Sequence, residues 1–118
     1  MHLDPEAIKP YLVPAAIAAF LLYRHLKFRR AKARLPELIK EGAVFVDVRT
    51  PAEYASGCRP GSLNIPLADI PRRAAELDKA RPVVLCCASG ARSAAAAGIL
   101  KGLGFSKVLN AGSWRNTL

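Results

Sequence analysis

Two adjacent cysteines, Cys86 and Cys87, stand at the end of an apolar run and are followed by Ala88, Ser89, Gly90, Ala91, Arg92 and Ser93. This grouping is where the chain can do chemistry. Small side chains let backbone N–H groups turn inward around a sulfur atom, and Gly90 allows backbone conformations that other residues resist. A ring of amides at the start of a helix is an anion-binding concavity. Arg92 adds a fixed positive charge. Together these features hold a thiol as thiolate, so the Cys87 pKa is expected below that of a free thiol. They equally suit an anionic substrate. Ser89 and Ser93 serve the loop and the helix cap. Neither is expected to act as a nucleophile, because His2 and His25, the two histidines of the chain, both lie far upstream. The same distribution excludes a Cys/His zinc site in the C-terminal part, and no metal is expected.

A second group, Asp47-Val48-Arg49, also ends an apolar run. Its expected role is supporting, as a structural hydrogen-bonded pair. Cys58 is the third cysteine. It either packs in a turn, exchanges a group with Cys87, or forms a disulfide with it. An odd count with two neighbours is no disulfide scaffold, so free thiols and a reducing compartment are expected.

These groups must be positioned by alternating strands and helices. Pro36 reads as the opening of a short helix that Gly42 stops. Residues 43–48, AVFVDV, form a buried parallel strand. Thr50, Pro51 and Glu53 make an N-cap, a first helical residue and a capping-box partner, with Gly57 as the stop. A turn over RPGS leads to a short strand at 63–65. An amphipathic helix over 69–79 has Ile70, Ala74 and Leu77 on one face. PVVLC is a strand, a small-residue helix runs from Ser93 to Gly104, and KVLN is the last strand. The pattern implies an α/β fold: a small central parallel sheet with helices on both faces, and chemistry beyond the carboxyl ends of the strands.

At this level of detail the chain resembles the rhodanese family. DVRTPAEYASGCRPGSLNIPL is similar to that family's Asp-x-Arg, Glu-Tyr/Phe, Gly-His-Ile-Pro-Gly-Ala and Asn-Ile-Pro succession. VVLCCASGARS resembles its active loop, Cys-x-x-Gly-x-Arg-Ser, and GFSKVLNAGSW its closing strand. The resemblance covers about residues 36–116 and implies a rhodanese fold. It also implies transfer of a sulfane sulfur from thiosulfate or a similar donor, through a persulfide on Cys87, to cyanide or a thiol. No organic cofactor is implied. The chain departs from the pattern at Cys58 (a histidine in the family), at Arg59 (an aliphatic residue), at Ser113 (a glycine) and at Ala88, where an arginine often follows the cysteine. Cys86 and Arg92 have the longer Cys-x5-Arg spacing of a phosphatase loop, so a small phosphatase or arsenate reductase using Cys86 is an alternative. The family glycine falls three residues after Cys87 and favours that cysteine. A non-catalytic interaction module with the same fold is the other alternative.

The chain has 118 residues and a formal net charge of +9, enough for one domain and a tail. Residues 1–34 contribute +5 of that charge, most of it between Arg24 and Arg34. Ahead of the cluster, residues 11–23 are uncharged and nearly all apolar, with Tyr11 and Tyr23 at the ends. This order, apolar run first and basic cluster after, opposes a cleaved signal peptide. It predicts a short single-pass membrane anchor over about residues 7–26, with the domain from residue 35 to 118 on the cytoplasmic side. No aromatic residues interleave with the cluster in a reading pattern, so nucleic acid is not an expected partner.

Overall fold

The computed structural model describes residues 4–118; Met1, His2 and Leu3 lie outside the described residues. The first element is one helix, α1 (Pro5–Lys40), capped by the Asp4 side chain, which accepts from the Glu6 N–H. Thirty-six residues span about 54 Å at the helical rise, which sets the long axis of the molecule at 59 Å. The short helix expected from Pro36 is therefore the last turns of a continuous helix. Pro36 lies inside it, as do Pro10 and Pro14. Proline in a helix interior removes one hydrogen bond. At Pro36 tertiary packing outweighs that loss: Leu35 and Leu38 are buried against Phe45, Val84 and Ala111. The boundary expected at residue 35 thus falls within α1.

Four parallel strands follow: β1 (Val44–Asp47), β2 (Leu63–Asn64), β3 (Val83–Cys87) and β4 (Val108–Ser113). They lie in the order β2-β1-β3-β4. Helix α2 (Pro51–Ala55) follows β1 and carries the expected capping box, with Thr50 and Glu53 bonded reciprocally. Helix α3 (Ile70–Arg73) is a single turn of α-helix between two 3-10 turns, where the periodicity predicted a continuous helix. The apolar face is kept, since Ile70, Ala74 and Leu77 are all buried. Helix α4 (Ala91–Gly102) leaves the end of β3, and a 3-10 turn, Trp114–Thr117, closes the chain.

The sheet is covered on both faces. The larger core joins Val46, Leu85, Ile65 and Ile70 to Ala96 and Leu100 of α4. The end of α1 covers the other face. Because side chains alternate along a strand, Cys87 shares the α4 side with Val83 and Leu85, while Cys86 lies on the side of Val84.

Far from this core, the first half of α1 stands in solvent. Tyr11, Leu12, Val13, Ile17, Phe20, Leu21 and Leu22 are all exposed. This is one helix long and apolar enough to cross a membrane.

Candidate active site

β3 delivers Cys87 to the carboxyl edge of the sheet, and three residues later Gly90 is the N-cap of α4, at φ +105°. That backbone geometry suits glycine alone among common residues. It aims the Gly90 N–H at the Cys87 sulfur, 2.9 Å away. Ser93 Oγ lies 3.4 Å from it and 2.6 Å from Asn110 Oδ1, so its single O–H donates to one or the other. Burial pushes the Cys87 thiol up, but the Ser93 hydroxyl and the amides of Ser93, Gly90 and Ser89 outweigh it, and the net shift is down. Of the ring of amides expected around this sulfur, the Gly90 N–H makes a hydrogen bond to it.

Cys86 has the opposite environment. It pairs with Asp47 in the sheet register. Burial, then the nearby Asp47 carboxylate, push its thiol up to about 12. A group held that firmly as a thiol is a poor nucleophile.

Asn110 joins the loop to β4. Its side chain donates to the Gly90 carbonyl at 3.0 Å and accepts from the Gly112 N–H at 3.0 Å. β4 has one extra residue here, since Leu85 pairs with Asn110 but Cys87 with Ser113. This bulge brings Gly112 beside Gly90, so close that a Cβ on Gly90 would lie 3.1 Å from the Gly112 Cα and 2.7 Å from Phe28 Cζ. Gly90→Ala is expected to cost about 1–3 kcal/mol from backbone conformation alone, and to pull the amide off the sulfur. Urea unfolding of the variant measures the first effect; loss of the depressed Cys87 pKa, read from pH-dependent alkylation, measures the second.

Arg92 is held differently from the expectation that its charge serves the loop. Both its terminal nitrogens bond the Glu53 carboxylate, at 2.6 and 2.9 Å. Arg92 foremost, with the Thr50 N–H next, holds Glu53 down at about 2. The anion that Arg92 needs at a helix start is thus the capping residue of α2, a pairing that the sequence separation concealed. Asp47 and Arg49 form the expected buried pair, with Arg49 Nη2 2.7 Å from Asp47 Oδ2. Arg49 also donates to the carbonyls of Glu53 and Gly57 and stacks on Trp114 at 5.0 Å. All three cysteines are free thiols. Cys58 sits half-buried beside Tyr54, and Arg59 stacks on Phe45 at 3.9 Å and donates to the Thr117 carbonyl.

The rim is formed by exposed Ala88 and Ser89, with Ala91 at the start of α4. Above it lies α1: Phe28 rests over Gly90 and Gly112, and the Arg24 guanidinium donates to the Ser89 carbonyl. Under this roof Cys87 is only 1% exposed. Neither Arg24, Phe28 nor Asn110 was visible as a site residue in the sequence, because each reaches the loop only through the docking of a distant element.

The family model for the rhodanese-like domain matches residues 31–116. The chain belongs to the rhodanese-like domain family. A sulfurtransferase of Allochromatium vinosum is 47% identical over 70 residues, covering 59% of this chain and 65% of that protein, so the matched part spans less than two thirds of that relative. The thiosulfate sulfurtransferase GlpE of Pseudomonas syringae is 34% identical, covering 77% of this chain and 91% of GlpE. Among solved structures, a rhodanese-related protein from Thermoplasma volcanium superimposes with a TM-score of 0.64 at 34% identity, covering 73% of this chain and 85% of that one. The rhodanese fold with its small parallel sheet is therefore the fold of this chain. The α1 residues that roof the loop, Arg24 and Phe28, precede the matched region.

Proposed function

We propose that this rhodanese domain is a sulfurtransferase that carries a sulfane sulfur on Cys87. The observation that carries the reading is the Gly90 N–H bonded to the Cys87 sulfur at the start of α4, with the Ser93 hydroxyl beside it. In the first step the thiolate attacks the outer sulfur of thiosulfate. A sulfur–sulfur bond forms to Cys87, the bond within thiosulfate breaks, and sulfite leaves with the electron pair. The same groups then stabilise the terminal sulfur of the persulfide. In the second step a thiol or cyanide attacks that sulfur, and Cys87 departs as thiolate. The steps balance without an external oxidant or an organic cofactor. The likeness to the thiosulfate sulfurtransferase GlpE supports this choice of donor. Asp47 and Arg49 support the loop from below.

A second reading, a binding module without turnover, draws on the burial of Cys87 under α1. Assaying thiosulfate:cyanide turnover beside aryl-phosphate hydrolysis separates the readings. Turnover of the first without the second is expected. Activity toward neither would favour the module, and phosphatase activity would return attention to Cys86.

We further propose that residues 1–34 form an anchor and its basic flank, ahead of the domain at 35–118. Residues 7–26 would cross the membrane once, with Arg24 and His25 at its cytoplasmic boundary and the domain on the cytoplasmic side. The exposed apolar face of α1 and the basic cluster after it support this. Arg24 touches the loop, so the candidate active site would then sit at the membrane surface. Membrane fractionation with protease digestion of sealed cells and of inverted vesicles tests the topology. The domain should pellet with membranes and be cleaved only in the inverted vesicles.

A further inference from the structure

A cleft of about 660 Å³ separates α1 from the sulfur loop. Its far wall is Ala88 and Ser89, the two residues that directly follow Cys87, with Ser113 and Asn116 behind them. Its near wall is a single face of α1. Leu21, Arg24, His25, Phe28 and Lys32 are spaced three, four, seven and eleven residues apart from the first, so they line up along the helix. Arg29 completes that wall. Three permanent cations therefore face the loop, and no Asp or Glu lines the cleft among the described residues. The loop side is uncharged, and the loop's own cation, Arg92, is bound by Glu53. The positive charge available at this mouth comes from the helix.

We propose that this cleft is the binding site for an anionic reactant of Cys87, with Arg24 as the residue that positions it. The proposal rests on Cys87 being the reactive thiol. Arg24 is the best placed of the three cations, because its guanidinium is already tethered to the Ser89 carbonyl at the rim and lies beside the Phe28 ring, 5.7 Å from its centroid. Phe28 in turn rests on Gly90, whose N–H binds the sulfur. The helix thus reaches the reacting atom through two contacts. An anion held between Arg24, Arg29 and Lys32 would lie against Ala88 and Ser89, while Cys87 itself sits just behind that wall. Because Leu21, Arg24, His25, Phe28 and Arg29 precede the family-matched region, this preference is a property added to the rhodanese domain by the preceding helix.

The test uses two alkylating reagents of similar size, anionic iodoacetate and neutral iodoacetamide, on the full-length chain in neutral detergent. In both, the Cys87 sulfur bonds to carbon and iodide leaves, and peptide mass spectrometry reads Cys87 alone. Arg24→Gln should lower the iodoacetate to iodoacetamide rate ratio about fivefold, Arg24→Lys should restore most of it, and added salt should shrink the difference. The exposed pair Arg29→Gln/Lys32→Gln should lower the ratio in the same direction. The KM for thiosulfate should rise by a similar factor in Arg24→Gln, with kcat nearly unchanged. A purely structural role, or one confined to lipid headgroups, would change both reagents' rates together and leave the ratio fixed, which would overturn the proposal. So would a Cys87 that neither reagent reaches. If the ratio shifts while thiosulfate leaves no sulfur on Cys87, the anion site stands and sulfur transfer does not.

Discussion

Replacing Arg49 with alanine destabilises the domain by about 3–5 kcal/mol. The cost follows from what remains behind. Asp47 is completely buried, and Arg49 alone supplies four of its hydrogen bonds, one from the backbone N–H and three from the guanidinium. Without the side chain, the buried carboxyl group loses its counterion and three of these four hydrogen bonds. The same truncation frees the carbonyls of Glu53 and Gly57 and removes the ring contact with Trp114. These groups hold the segment after β1 against the end of the sheet, so the damage spreads toward the loop. Small domains have about 5–15 kcal/mol in total, so the loss is a large fraction of the margin. Denaturant unfolding of the full chain measures it. The double variant Asp47→Asn/Arg49→Met should recover much of the loss, because it leaves no unpaired charge in the interior. A single-variant effect below about 1 kcal/mol would mean the pair is solvated in practice.

The second large effect concerns the two cysteines. Cys87→Ser should lower thiosulfate:cyanide turnover by about 10³-fold or more, as loss of a covalent nucleophile does, while Cys86→Ser leaves turnover near wild type. The neighbours differ because a strand alternates its faces. Cys87 meets the Gly90 N–H and the Ser93 hydroxyl. Cys86 lies buried against the Asp47 carboxylate, which along with desolvation keeps it protonated. A serine at 86 should cost some stability but no chemistry. Equal damage from both substitutions would place the reactive sulfur elsewhere or show that the loop collapses whenever β3 is disturbed.

Local chemistry explains what was legible before any coordinates. The capping box of Thr50 and Glu53 and the strand runs at AVFVDV and PVVLC depend on residues near each other in the chain; the box formed as read, and the strands formed within a residue of the expected bounds, at Val44–Asp47 and Val83–Cys87. The rhodanese resemblance was carried by several such segments in order. What stayed hidden depends on distant pairing. Glu53 completes a helix cap and also binds Arg92, 39 residues away. Asn110 reads as the end of a strand, yet it fixes the Gly90 carbonyl. Pro36 carries the signature of a helix start, but burial of Leu35 and Leu38 draws the helix straight through it. That continuity brings Phe28 and Arg24 over the sulfur loop, where neither periodicity nor motif could place them.

One measurement bears most directly on the central claim: peptide-resolved mass spectrometry of the wild-type chain after thiosulfate treatment, with sulfite quantified in the same sample. One added sulfur atom on the Cys87 peptide, released by cyanide and matched by one sulfite per chain, is the expected result. A chain that gains no sulfur, or gains it on Cys58 or Cys86 while Cys87 stays bare, would contradict it.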